Sequence, residues 1–153
     1  MIDFVPPETI SMTLYRIPIP KQGDRTRQVN MKSGKSFIGH YQPKKITNEK
    51  DALILLAQEY RPEHIWTEPI EIQVTFFFPW TKSITKKRKL SWSESGLDYK
   101  STKPDLDNLE KMIFDALEGV IYQNDSQIVS KFSEKRLSDT PRIQIVLTKI
   151  ERI

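Results

Sequence analysis

The chain contains no cysteine. That excludes a disulfide framework and a thiolate metal site, and it suits a reducing cytosol. Histidine is nearly absent as well. His40 and His64 stand at no metal-ligand spacing from each other or from the acidic motifs, and neither sits beside a candidate serine nucleophile. Any metal must therefore be held largely by oxygen. No apolar run approaches the roughly 20 residues needed to span a bilayer, so no membrane partner is expected. The opening MIDFVPPETI has neither the basic start nor the apolar stretch of a signal peptide. Internal repeats and low-complexity tracts are also missing. These features together lead to the expectation of one cytoplasmic domain over residues 1–153, with no second domain.

What the sequence does contain is positive charge, unevenly placed. The net charge is +4 over 153 residues. Between Arg16 and Lys45 the basic residues Arg16, Lys21, Arg25, Arg27, Lys32, Lys35, Lys44 and Lys45 face a single acid, Asp24. Between Pro79 and Pro104 lie Lys82, Lys86, Lys87, Arg88, Lys89, Lys100 and Lys103, against Glu94 and Asp98. The next segment reverses the sign, with Asp105, Asp107, Glu110, Asp115 and Glu118 against Lys111. Basic flanks around an acidic centre suggest a polyanion held over a cation-binding pocket, although charge runs also arise simply as solvated faces.

Periodicity gives the elements. Met12–Pro20 reads as a first strand and Phe37–Tyr41 as a short second one, with a polar loop between them. From Pro43 to Tyr60, Ile46, Leu53, Leu56, Ala57 and Tyr60 recur at helical spacing. In PIEIQVTFFF, residues 69–78, every second residue is apolar, which predicts a half-buried strand. Residues 79–104 show no periodicity and are read as a long basic loop of a kind that tends to be functional. A helix is predicted over about 105–118, with Leu109, Met112, Ile113, Ala116 and Leu117 on one stripe and Gly119 as its stop. Two strands, Gln127–Arg136 and Arg142–Ile150, complete the chain. The expected fold class is α+β, a single domain with a mixed or antiparallel sheet packed by two main helices.

The stretch STKPDLDNLEKMIFDAL, residues 101–117, carries the chemistry. One account of it is purely structural: Asp107 and Glu110 form a capping box, acids favour the helix dipole, and Lys111 pairs with Asp107 and Asp115 at four-residue spacing. The other account is a metal site. Residues 105 and 107, two apart where the helix begins, can direct both carboxylates toward one ion. Hard divalent cations such as Mg²⁺ take one or two carboxylates together with water and substrate phosphate. Beyond the helix, VIYQNDSQIVS supplies a third acid, Asp125, on a polar turn.

The segment KPDLDNLEKMIFDALEGVIYQNDSQIVSKFSEKR closely resembles the signature of the RusA family of Holliday-junction resolvases of bacteria and their phages. That signature is approximately K-P-D-x-D-N-x-x-K, then D-A-L-x-G, then D-D-x-Q-I and a basic strand. The RIPIPKQ strand, the basic loop after it and YQPKK opening a helix follow the family's order, so the resemblance spans about residues 12–150. It implies a Mg²⁺- or Mn²⁺-dependent endodeoxyribonuclease that acts as a homodimer on four-way DNA junctions in recombination and repair. The family's acidic metal positions fall on Asp105, Asp107 and Asp125, and its essential lysine falls on Lys111. This chain departs from the family in reading Asn124 where a second acid is usual, and GDRTR where many members have R-P-R.

On this reading Asp105, Asp107 and Asp125 hold the cation and Lys111 lies against the scissile phosphate. Lys86, Lys87, Arg88, Lys89, Lys100, Lys103, Arg25 and Arg27 would bind DNA. Asn108, Asp115 and Asn124 are candidates for supporting roles, and Trp80, Trp92 and Tyr99 for stacking on unpaired bases or for packing on the domain surface. No small-molecule cofactor is called for. Two alternatives stay open: a DNA-binding module whose acidic turn only caps a helix, and a nuclease that prefers flaps or forks.

Overall fold

The computed structural model describes residues 4–22 and 25–152. Six strands and three α-helices follow one another as β1 (Thr9–Leu14), β2 (Arg25–Asn30), β3 (Ser36–Tyr41), α1 (Lys44–Ala57), β4 (Ile70–Pro79), α2 (Lys86–Ser95), α3 (Leu106–Leu117), β5 (Ile128–Ser138) and β6 (Arg142–Lys149). A 3₁₀ turn extends α1 over Gln58–Tyr60, and another, Asp125–Gln127, leads into β5. Four strands form one sheet in the order β1-β6-β4-β5, while β2 and β3 pair separately as a hairpin.

The sheet is mixed. β6 runs antiparallel to both β1 and β4, and β5 runs parallel to β4 as the edge strand. The alternation in β4 does what its sequence predicts: Ile70, Ile72, Val74, Phe76 and Phe78 are all buried. Ile143, Ile145 and Leu147 of β6 and Met12 and Leu14 of β1 complete the same apolar face. Leu109, Met112, Ile113, Ala116 and Leu117 of α3, with Ile46, Leu53 and Ala57 of α1, cover it. Burial of this two-layer core supplies the main driving force for the fold.

Three expectations need correction. The first strand ends at Leu14 and not at Pro20, because the register with β6 pairs Thr9 with Thr148 and Leu14 with Ile143, and the prolines at 18 and 20 lie past it. The polar segment after it is not wholly loop, since Arg25–Asn30 pairs with Ser36–Tyr41 across a turn at Gly34, whose φ is 81°. The stretch 79–104 likewise holds a helix, α2, so the described residues contain three α-helices where two main helices were expected. Thr85 caps α2, its Oγ1 accepting from the Arg88 amide at 3.3 Å, and Gly96 ends it in the left-handed conformation at φ 70°. α2 has no fully buried residue, which is why no apolar period marks it. Trp92 instead packs beside Trp80, ring centres 6.4 Å apart.

The charges that join elements are specific. Arg16, just after β1, forks onto the buried Glu49 of α1 through Nε at 3.2 Å and a terminal nitrogen at 2.6 Å. Lys131 of β5 pairs with the buried Glu110 of α3.

Candidate active site

The side chain that precedes α3 does not cap it. Asp105 occupies the position just before the helix in an extended conformation (φ −71°, ψ 143°), yet its side chain accepts no cap hydrogen bond. Its carboxylate is turned outward to Lys103, 3.0 Å away. The capping box expected from Asp107 and Glu110 does not form, because Glu110 points inward to Lys131. Asp107 lies exposed in the first turn with no side-chain partner among the described residues. Lys111, one turn on, is exposed and makes no ion pair among the described residues. The expected Lys111–Asp115 pair is absent, since Asp115 is taken by Lys21. The first turn of α3 thus presents two acids and an ammonium that the fold does not use for its own capping.

The third acid lies elsewhere. Asp125 opens the 3₁₀ turn at the far end of α3, where its carboxylate oxygen falls within 4.8 Å of those of Asp115 and Glu118. This is the one trio of possible ligands that the described residues of a single chain gather so closely. From Asp107 to Asp115 a helix rises roughly 12 Å. Asp105 and Asp107 therefore do not share an ion position with Asp125 inside one chain. The reason is topological: β5 starts level with the C-terminal end of α3 and runs back antiparallel to it, reaching Glu110 only at Lys131 and the Asp105 loop only at Lys135.

The donor set fits a hard cation. All the acids offer oxygen, and oxygens about 2.1 Å from one octahedral ion stand about 3–4 Å from each other. A small side-chain closure would bring Asp115, Glu118 and Asp125 into that range. The negative charge is already concentrated there: the buried Tyr122 hydroxyl, which donates to the Phe114 carbonyl at 2.7 Å, is pushed far above its ordinary pKa by burial and then by Asp125, Glu118 and Asp115. Lys21 offsets part of that charge, and its own amide donates to the Asn108 carbonyl at 2.9 Å, tying the N-terminal segment onto α3.

Asn124 has a structural use. Its Oδ1 accepts from the Ser126 amide at 2.9 Å while Gln127 Oε1 accepts from the Asn124 amide at 2.7 Å, a capping box that fixes the turn carrying Asp125.

The basic residues divide by how freely they stand. Lys86, Lys87 and Arg88 are exposed on the first turn of α2. Lys89 lies over the Trp80 ring at 5.8 Å, and Arg27 lies over Tyr41 at 5.6 Å on the hairpin. Lys100 donates to Thr102 Oγ1 at 2.8 Å and sits over Phe78. The side chain of Arg25 lies outside the described residues. Trp80 and Trp92 pack on the surface against each other, while Tyr99 is half exposed beneath the Arg136 guanidinium, 4.3 Å from its ring centre.

Lys21, Glu118, Lys131, Lys135 and Arg136 were not legible as site-forming residues from sequence. For the β5 residues the available cue was the alternation of KFSEKR: 131, 133 and 135 share the face turned to α3 and its loop.

A family model described as "Endodeoxyribonuclease RusA" matches residues 17–148. The chain is 32% identical over 148 residues to "Uncharacterized protein YqaN" of Bacillus subtilis (strain 168), covering 94% of this chain and 98% of that protein. It is 34% identical over 83 residues to "Crossover junction endodeoxyribonuclease rusA" of Lactococcus phage r1t, covering 54% of this chain and 56% of that protein.

Proposed function

The chain belongs to the RusA endodeoxyribonuclease family, and from that premise we propose that it is a Mg²⁺- or Mn²⁺-dependent nuclease that resolves four-way DNA junctions in recombination and repair. It would work as a homodimer in the cytoplasm of a bacterium, encoded by the host or by a phage. The observation that carries this reading is the first turn of α3, where Asp105, Asp107 and Lys111 are exposed together and none of them caps or pairs within the helix.

A divalent cation held there would supply water activation and offset charge on the phosphoryl oxygens. The remaining work belongs to side chains. Asp105 and Asp107 would offer two carboxylates to the cation, and Lys103, which pairs with Asp105, could instead pair with a DNA phosphate. Lys111 lies one turn along the same face as Asp107, placed to steady the negative charge that grows on the scissile phosphate. The exposed cations of α2 would hold the flanking duplex through phosphate contacts, which position DNA without reading its sequence.

Asp125 is proposed as the third ligand, and its place at the other end of α3 supports the dimer. A site that uses Asp105, Asp107 and Asp125 together is incomplete within one chain, whereas a second copy related by a two-fold axis can bring its Asp125 to the first copy's Asp105. β4 and β6 are interior strands with both edges paired, so neither can supply the interface by strand pairing. A second arrangement has its own support, namely a cation held within one chain by Asp115, Glu118 and Asp125.

The reading is tested with a labelled four-way junction and a linear duplex of matching sequence, each incubated with the protein with and without Mg²⁺. Paired, symmetric cuts in the junction only when the metal is present are expected. Tight junction binding with no cleavage, with or without Mg²⁺, would establish a binding module instead, and equal cutting of flap or fork substrates run in the same assay would establish a broader nuclease.

A further inference from the structure

We propose that Lys135 is a positioning residue for the Asp105 end of the site, and that its ammonium sets the direction in which Asp105 presents its carboxylate. This rests on the assignment of Asp105 as a cation ligand.

The loop from Gly96 to Pro104 is strapped along the outer edge of β5. The Leu137 amide donates to the Asp98 carbonyl at 2.8 Å, and the Lys100 amide to the Lys135 carbonyl at 3.1 Å. Arg136 reinforces the same stretch, donating to Asp98 at 2.6 Å and to the Tyr99 hydroxyl at 3.0 Å. After Lys100 the backbone ties stop. Among the described residues no backbone hydrogen bond links 101–104 to the sheet. Across that gap the Lys135 ammonium donates to the Thr102 carbonyl at 2.8 Å and to the Pro104 carbonyl at 2.8 Å.

The second of these bonds matters most. The Pro104 carbonyl belongs to the peptide group that ends at the Asp105 nitrogen, so fixing it orients the plane from which Asp105 leaves the loop. Two short bonds from a charged donor hold a peptide more firmly than neutral ones would. Lys135 is also the point on β5 level with Asp105, as Lys131 is level with Glu110. Its positive charge lies beneath the acids without covering them, because its bonds go to carbonyl oxygens and Asp105 remains exposed to solvent. Burial and the nearby Lys100 hold the ammonium below its ordinary pKa, and Asp105 opposes that shift.

A side chain that merely braced the fold would affect stability but not the ligand specifically. The test is Mn²⁺ binding by the full chain, read as free Mn²⁺ by electron paramagnetic resonance, in a double-mutant cycle with Asp105→Asn. Lys135→Met is expected to weaken Mn²⁺ binding about tenfold, the loss typical when a group that orients a metal ligand is removed. Lys135→Arg, which keeps a charged donor able to reach two carbonyls, should remain within about threefold of the wild type. In the Asp105→Asn background, Lys135→Met should cause no further loss. Wild-type Mn²⁺ affinity in Lys135→Met, or an equal loss in both backgrounds, would overturn the proposal. Should Lys135→Met fail to fold, Lys135→Gln, which retains one amide donor, enters the same cycle with the same criteria. If Asp105→Asn alone leaves Mn²⁺ binding unchanged, the ligand assignment itself has failed, a different result from failure of the positioning role.

Discussion

The carboxylate of Asp105 lies 3.0 Å from the ammonium of Lys103 and bonds none of the backbone amides of the helix it precedes. An aspartate at that position usually caps. Replacing a working cap by alanine costs about 0.5–2 kcal/mol. Asp105→Ala is therefore expected to change the free energy of unfolding by less than about 0.5 kcal/mol in urea titration, since it removes only an exposed ion pair, while abolishing cleavage. A loss of stability of the full capping size would return Asp105 to a structural role.

Lys111 is exposed and has no partner among the described residues, so Lys111→Met should leave the melting temperature unchanged. Single-turnover cleavage of a bound junction is expected to fall by about 10²–10³, the usual effect of losing one preorganised charge at a reacting centre. A variant that cleaves at near wild-type rate would place Lys111 outside the chemistry.

Glu110 and Lys131 predict an asymmetry. Glu110 is buried while Lys131 is about half exposed. Lys131→Met strands a carboxylate inside the protein and should cost about 2–3 kcal/mol, somewhat under the cost of breaking a fully buried pair. Glu110→Gln leaves a lysine that can rehydrate and should cost about 1 kcal/mol. Chemical denaturation of the two variants measures both values, and the reverse ranking would contradict this account of the pair.

How much of this was legible in the sequence differs by element. The alternation of β4 and the apolar stripe of α3 were readable because one buried face imposes a period on the residues that fill it. α2 buries no residue fully and so carried no period. Its markers were Thr85 at one end and Gly96 at the other, and these become visible only once the segment between them is suspected of being helical. β2 likewise buries none of its described side chains fully, and Val29 is its one apolar residue. Asp105, Asp107 and Lys111 could be singled out from local spacing, because four residues on a helix fix their own geometry. The position of Asp125 could not, since it depends on β5 entering the sheet parallel to β4 and starting beside the wrong end of α3. Lys135 escaped notice because its role depends on that same strand direction.

Neutralising Lys86, Lys87 and Arg88 together should weaken junction binding and flatten its salt dependence. Each lost phosphate contact lowers the slope of log affinity against log salt by about 0.9. Cleavage of the saturated complex should persist. An unchanged slope would show that the exposed turn of α2 stays off the DNA.

If Asp125 completes the site of a second copy, the 18.0 kDa chain should sediment as a dimer at micromolar concentration. Mixing inactive Asp105→Asn and Asp125→Asn chains should then restore nicking, because each mixed dimer keeps one intact site while losing the other. About a quarter of the wild-type sites would be live after random exchange, giving single nicks and not paired cuts. No recovery on mixing would confine the site to one chain and favour the arrangement with Asp115 and Glu118.

The central claim is that the first turn of α3 holds a catalytic centre. Single-turnover cleavage of a labelled four-way junction by Asp107→Asn at saturating Mg²⁺, with junction binding measured on the same sample, tests it most directly. The account predicts binding at least as tight as that of the wild type, because DNA affinity comes mainly from Lys and Arg contacts to phosphate, with cleavage lost. Cleavage at near wild-type rate by Asp107→Asn would contradict it.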